Sequence, residues 1–576
     1  EKKLDEIWKA VSIAYRQRPS TVRTFSSSAC PAGFLYARSF PGSLFQFVST
    51  RSPCLLRVSL PVVVIIDTVY EQSPPSCGIP VYTVYTSHHI YPRVPTRPRA
   101  CVLSTPSPCL SQLAQPTAGT TTMAAAKLLL LSALAVLLLV LLPSAAAIGT
   151  ADGSEEWGYV EVRPKAHMFW WLYRSPHRVE NGTTPWPTVL WLQGGPGASG
   201  AGYGNFMEIG PLDTDLKPRA TTWLNKADLL FVDNPVGTGF SYVEGGNTSL
   251  LARTDAKAAS DLTALLIKLY RDNKRLQGSP LYIVAESYGG KFAVTTALVA
   301  LQAIGNGQLK AKLGGVALGD SWISPEDSVL SWGPLLYEMS RIDESGLQQC
   351  NSIAQKIKAQ LKANKYADAE KSWEDLESAV LEQSNFVNFY NLLKDESSDD
   401  ATTLTLAGGK RVRKEGYTSY LGSKATREGG LDGLMDTVIK AKLGIVPKNF
   451  TWGQQSGDVF EALEGDFMKP RIHEVDELLK LGVDVTIYSG QLDLICATKG
   501  TLDWVQKLKW DGLKKFNSSP RKPLYCKGGE TGTQGFVRSY KNLKFYWILG
   551  AGHMIPIDNP CPALTMLGDI TQSPAQ

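Results

Sequence analysis

LYIVAESYGGKF, residues 281–292, passes from an apolar, β-branched strand pattern directly into an apolar helix pattern, with Ser287 at the join and Gly289 two residues on. A nucleophile elbow needs this arrangement: the turn is so sharp that its flanks must be small, and the serine hydroxyl is lifted above the sheet at a helix amino terminus. Ala285 stands where the elbow usually has its first glycine, a departure toward a still-small residue. A serine that merely caps a helix would look similar. The rest of the chain must therefore supply a base, an acid and an oxyanion site.

Outward from the elbow, short β-branched and aromatic runs recur: HMFWWLYRS from His167, TVLWLQ from Thr188, ADLLFVDNP from Ala227, GGVALGD from Gly314, VDVTIYSG from Val483 and LKFYWILG from Leu543. Helix-patterned segments lie between several of them, as where Ala259, Leu262, Leu265, Leu266 and Leu269 share one face of 255–276. Strand and helix in alternation predict an α/β protein with a central, mostly parallel sheet. From 326 to 469 the texture becomes charged amphipathic helix, with Ile353, Ile357 and Leu361 spaced four apart. The expected organisation is a first core part at 148–325, a helical cap insertion at 326–469 and a second core part at 470–576, the cap standing over the carboxyl ends of the strands.

Four histidines lie beyond the N-terminal leader. His167 falls in a strand pattern, His177 in a turn and His473 in an amphipathic helix, all ordinary structural settings. His553 instead follows the strand FYWILG in the loop Gly550-Ala551-Gly552-His553-Met554, where this kind of fold places its base. Asp493, just after a strand and a Ser-Gly turn in VTIYSGQLDLI, suits the acid that fixes the imidazole tautomer. The chain order Ser287, Asp493, His553 is that of the α/β-hydrolase fold. The amide of Tyr288 and that of Gly195, in LQGGPGASG, are the expected oxyanion donors. The same loop matches G-x-G-x-x-G, but AGYGNFMEIGPL after it reads as too glycine-rich to open a packed helix, so no dinucleotide site is expected.

An apolar run from Leu128 to Leu142, preceded by Lys127 and followed by Ala145-Ala146-Ala147, reads as a signal peptide spanning 123–147 and not as a membrane span. Residues 1–122 have no lysine after Lys9 and are rich in Pro, Ser and Arg; they read as untranslated upstream sequence or a transit-type leader, with no fold expected. The overall net charge of +5 resides in that leader: after Ala147 the chain carries 46 Lys and Arg against 49 Asp and Glu, so no nucleic-acid partner is expected. Four cysteines remain there, Cys350, Cys496, Cys526 and Cys561, an even count that suggests two disulfides of undetermined pairing. Sequons at Asn181, Asn247, Asn449 and Asn517 fit glycosylation on a secretory route to the extracellular space, vacuole or lysosome. No HExxH or paired CxxC occurs, so no metal or cofactor is expected.

WLQGGPGASG, NFMEIGPL, FVDNPVGTGFSY, AESYGG, YSGQLDLI and GAGHMIP, in this order from about Trp157 to the C terminus, closely resemble the serine carboxypeptidases, and the Gln193 variant with SYKNLKFYWILGAGHMIP resembles their retinoid-inducible and plant carboxypeptidase-like branch. The resemblance implies an α/β-hydrolase exopeptidase in which Ser287, Asp493 and His553 form the triad and Gly195 and Tyr288 the oxyanion hole. It also implies that Gln193, Glu208 and Glu286 bind the substrate's terminal carboxylate. Acids can do this only when partly protonated, which favours acidic pH. Gln193 replaces the Asn of better-studied members, and its extra methylene is expected to displace that contact by about an ångström. The implied substrate is a peptide C terminus. An acyltransferase on the same scaffold and a catalytically weak binding protein are the alternatives, and homodimerisation is left open.

Overall fold

Thr188–Leu192 and Asp228–Val232 are buried at every position, as parallel strands covered on both faces must be. In the computed structural model the described residues are 148–179, 185–395, 430–526 and 532–574, with five short strands between Arg23 and Thr86. The signal peptide expected at 123–147 and the Asn181 sequon lie outside them.

The chain divides into two units, Glu1–Thr121 and Thr122–Gln576. In the first, to which the sequence reading attaches no fold, Arg23–Phe25 pairs with Leu35–Ala37, and Val81–Thr86 lies between Leu44–Val48 and Val64–Val69 in an antiparallel sheet.

In the second unit twelve strands form one sheet. They are β1 (Ile148–Gly149), β2 (Glu155–Arg163), β3 (Ala166–Tyr173), β4 (Thr188–Leu192), β5 (Asp228–Val232), β6 (Tyr242–Val243), β7 (Pro280–Glu286), β8 (Lys312–Gly319), β9 (Val485–Gly490), β10 (Lys522–Leu524), β11 (Gly535–Tyr540) and β12 (Leu543–Ile548). Their order is β10-β11-β12-β9-β8-β7-β4-β5-β3-β2-β1, with β6 on β3. The six neighbours from β12 to β5 are all parallel, and the pairs outside them are antiparallel. This mixed, mostly parallel sheet, with helices packed around it, is the α/β-hydrolase architecture expected from the sequence. Helix α1 (Asp255–Asp272) is capped by the Thr254 hydroxyl, which accepts from the Lys257 amide, and buries Ala258, Ala259, Leu262, Leu265, Leu266 and Leu269. It packs on α2 (Gly289–Gly305), which lies against β7 and β8.

Between β8 and β9 the described chain is helical: α3 (Pro325–Glu338), α4 (Glu344–Lys362), α5 (Tyr366–Ser384), a helical run over Gly430–Leu443, α6 (Gly457–Phe467) and α7 (Ile472–Lys480). Loops of this insertion reach the strand ends. The amide of His553 donates to the Tyr390 carbonyl at 2.7 Å, Ser199 to Gln454 at 3.0 Å and Ser456 to Gly197 at 2.9 Å. One expectation fails: Gly200–Ile209 is a wide-turned helix, almost wholly buried. Ser199 caps it by accepting from the Gly202 amide, and the glycines that argue against a helix in isolation are what let neighbouring side chains close on it.

Candidate active site

Ser287 sits between β7 and α2 with φ of 61°, the left-handed conformation that an elbow imposes on a residue with a side chain. Its amide donates to the Gly319 carbonyl at 2.9 Å, and its own carbonyl accepts from Trp322 at 3.0 Å, so the β8 exit loop braces the nucleophile from both sides. A Cβ on Gly194 would lie 2.5 Å from that of Ser287, which places the glycine loop after β4 directly against the serine. Gly195 and Tyr288, the expected oxyanion donors, are thus the next residue in each of two segments that meet at Ser287.

His553 and Asp493 are brought together: Nδ1 lies 2.9 Å from Oδ2, and both side chains are at most 2% exposed. Asp493 Oδ1 also accepts from the Cys496 amide at 3.3 Å. The other ring nitrogen of His553, Nε2, is buried with no hydrogen-bond partner, and no hydrogen bond yet joins it to Ser287. Such a contact commonly tightens only when substrate is bound.

Glu208, on the wide-turned helix, and Glu286, the last residue of β7, are each 2% exposed and so are not solvated surface acids. Gln193 Nε2 donates to Oε1 of both at 2.9 Å, while Gln193 Oε1 accepts from the Trp191 indole at 2.6 Å. Burial pushes Glu208 up to about 7, and burial together with the neighbouring Glu208 holds Glu286 well above the carboxylate range. Each acid lies within hydrogen-bonding reach of the other, and no donor reaches Oε2 of either. Two such carboxyls stay together only by retaining a proton between them. The Trp191 bond turns the Gln193 amide so that its nitrogen meets both acids.

Features absent from the sequence reading surround this centre. The Tyr288 hydroxyl donates to Asp255 Oδ1 at 2.8 Å, and the wholly buried Lys291 lies 3.6 Å from Asp255 Oδ2. Arg471 pairs with Asp255 at 2.8 Å and Asp466 at 2.7 Å, while Lys291 Nζ donates to the Asp466 and Phe467 carbonyls. Two cations and two anions from α1, α2, α6 and the start of α7 thereby hold the Tyr288 side chain. A second aspartate, Asp320, abuts Asp493. The only local sign of it was its place at a strand end in GGVALGD.

The expected pair of disulfides is corrected to one, Cys526–Cys561; Cys350 and Cys496 are both buried and unlinked, Cys350 within α4 and Cys496 in the loop beside Asp493. Asn247, Asn449 and Asn517 are exposed. The one group of His, Cys and carboxylate ligands close enough to hold a metal among the described residues is Asp493, Cys496 and His553, whose histidine and aspartate are already paired to each other. No described helix is long and apolar enough to cross a membrane.

The family model for serine carboxypeptidases matches residues 146–573. Serine carboxypeptidase-like 51 of Arabidopsis thaliana is 57% identical over 433 residues, covering 74% of this chain and 93% of that protein. The retinoid-inducible serine carboxypeptidase of Mus musculus is 48% identical over 424 residues, covering 73% and 92% respectively. Among solved structures, Kex1(delta)p, a prohormone-processing carboxypeptidase of Saccharomyces cerevisiae, superposes with a TM-score of 0.60 at 21% identity, covering 73% of this chain and 91% of that one.

Proposed function

The chain belongs to the serine carboxypeptidase family and is a serine-type carboxypeptidase, and from that premise we propose that it releases C-terminal residues of peptides through Ser287, His553 and Asp493 at acidic pH within the secretory pathway. Ser287 Oγ attacks the carbonyl carbon of the last peptide bond while His553 Nε2 takes the hydroxyl proton. The amides of Gly195 and Tyr288 receive the negative charge that develops on the carbonyl oxygen. Collapse of the intermediate passes the proton from His553 to the departing amine, and the C-terminal amino acid leaves. Water, deprotonated by the same nitrogen, then hydrolyses the acyl-enzyme. Asp493 holds the imidazole tautomer throughout.

One observation carries the exopeptidase reading: Glu286, immediately before the nucleophile, is tied through Gln193 to Glu208 as a buried acid pair. Such a pair, taking up a second proton in acid beyond the one held between the carboxyls, can give a hydrogen bond from an Oε2 that has no other partner to a carboxylate one residue beyond the attacked carbonyl. Gln193 supports this by fixing both acids, since each of its amide hydrogens already has an acceptor. The signal-peptide pattern at 123–147 and the exposed sequons Asn247, Asn449 and Asn517 support a secretory route ending outside the cell or in a vacuole or lysosome. The helical insertion at 326–469 is read as the cap that shapes the side-chain pocket.

The test is a pair of blocked dipeptides that differ only in ending as a free acid or an amide, assayed at pH 5. Preference for the free acid by about tenfold to a hundredfold in kcat/KM is expected from loss of a charged hydrogen bond, and equal turnover of the two would sink the clamp.

A further inference from the structure

Asp320 follows Gly319, the last residue of β8, whose carbonyl receives the Ser287 amide. It is 1% exposed and has φ of 37°, a conformation that Asp and Asn tolerate better than most side chains. Its two carboxylate oxygens accept a shared hydrogen bond from the Gly490 amide at 2.9 and 3.2 Å, and its own amide donates to Tyr488 at 2.9 Å. Gly490 ends β9 and opens the loop that carries Asp493. A Cβ on Gly490 would run into the Gly552 carbonyl, so the histidine loop rests directly on the residue that Asp320 holds. One buried side chain therefore lies where the nucleophile, acid and base loops converge.

The Asp320 carboxyl is also within hydrogen-bonding reach of that of Asp493. The titratable groups facing it are Asp493, with His553 beyond; Glu286 at the end of β7; Tyr488, whose hydroxyl donates to Ala285; and Cys496. The Gly490 amide and the Ser489 side chain hydrogen-bond to the carboxyl and favour its charged form, against burial and the adjacent Asp493. Two carboxylates in contact in a buried site, with His553 on the far side of Asp493 the one facing group that can carry positive charge, repel each other strongly unless one keeps its proton.

We propose that Asp320 is a positioning residue of the catalytic apparatus, which holds a proton against Asp493 so that the triad acid meets His553 as half of a singly charged carboxyl pair. The single charge leaves His553 able to lose its proton in acid and serve as base; two full charges behind it would hold the imidazolium. Burial and the adjacent Asp493, which keep Asp320 well above the carboxylate range, agree with a retained proton. The proposal rests on the triad reading above but not on the exopeptidase clamp.

The experiment is the pH dependence of the rate at which an uncharged fluorophosphonate labels Ser287, which reports the imidazole and not the carboxylate clamp, in the wild-type protein, Asp320→Asn and Asp320→Ala. Asparagine can donate the same hydrogen bond and carries the same charge as a protonated aspartic acid. Asp320→Asn should therefore label within about threefold of wild type, with its acid limb moved by less than about 0.3 pH unit. Asp320→Ala, which leaves Asp493 without that donor, should label about tenfold more slowly. An acid limb lowered by about one unit or more in Asp320→Asn would mean that a full negative charge had been removed, and would overturn the proposal. Labelling of Asp320→Ala at the wild-type rate would overturn it too. If Asp320→Ala does not fold, the acid limb of Asp320→Asn still decides. A further readout is stability: a carboxyl whose folded pKa is raised contributes stability below its unfolded pKa that is lost as pH rises, so Tm should fall less steeply between pH 5 and pH 8 in Asp320→Asn than in wild type. Wild-type labelling without release of C-terminal residues would count against the carboxypeptidase reading alone.

Discussion

The indole N–H of Trp191 donates to Oε1 of Gln193 at 2.6 Å, and this contact sets which way the glutamine amide faces. With its oxygen held, the amide nitrogen can only point toward Glu208 and Glu286. The strand β4 thus orients the candidate carboxylate clamp from within the core, two residues before the glycine loop begins.

Trp191→Phe keeps an aromatic ring at a wholly buried position packed edge-on against Trp223 but removes the donor. The amide becomes free to turn, and the acids lose their fixed partner. KM for free-acid substrates should rise about fivefold to tenfold with kcat changed less, corresponding to one hydrogen bond of about 1–1.5 kcal/mol. Steady-state kinetics on a blocked dipeptide would check this, and a fall confined to kcat would speak against it.

The acid pair should make substrate binding and stability both decline as pH rises. Glu208 and Glu286 have folded pKa values above their unfolded ones, Glu208 at about 7. Their stabilising contribution is therefore complete below the unfolded pKa of about 4.3 and is lost as pH climbs through the folded values. Tm should drop between pH 5 and pH 8, and KM should rise through about pH 7. In Glu208→Gln/Glu286→Gln both slopes should flatten, measured by thermal unfolding and KM across that range.

Asp493→Asn would leave the His553 ring in place but free to adopt the wrong tautomer. kcat should fall by about 10⁴-fold, with Ser287 labelling slowed in parallel and Tm little changed. Retention of more than a tenth of wild-type kcat would remove Asp493 from the triad.

Lys291 is wholly buried against Asp255, and burial lowers it to about 8 despite that acid. Lys291→Met leaves Asp255 with Arg471 alone, while Asp466 keeps Arg471 and Lys469. Breaking a buried charge pair in this way should cost about 3–5 kcal/mol of stability, read from urea unfolding near pH 6. A loss under about 1 kcal/mol would mean that the four charges do not act together.

The seven strand patterns read from the sequence all correspond to strands, because period-two and fully apolar runs reflect local burial. Ser287, Asp493 and His553 were legible because each sits where a strand pattern stops. Strand β2, EEWGYVEVR, was not: its polar positions do not alternate, since Glu155 and Glu156 are partly buried, on Trp171 and Lys442 and on Asn273, and Glu161 alone is exposed. Gly200–Ile209 defeated a propensity argument because its stability comes from Trp191, Trp452 and neighbouring chain packed around it, not from its own residues. The Asp320 bond to Gly490 spans 170 residues, and Lys291 meets the Asp466 carbonyl across 175. Contacts of that range leave no mark in a local pattern. Cysteine parity likewise counts thiols without knowing that one lies in α4 and another beside the triad acid.

The most direct test of the whole account is release of the C-terminal amino acid from a blocked dipeptide by the purified protein at pH 5 and pH 7.5, beside Ser287→Ala. The account predicts release that is faster by about tenfold at pH 5 and absent from Ser287→Ala at both values. Undiminished release by Ser287→Ala, or faster release at pH 7.5, would contradict it.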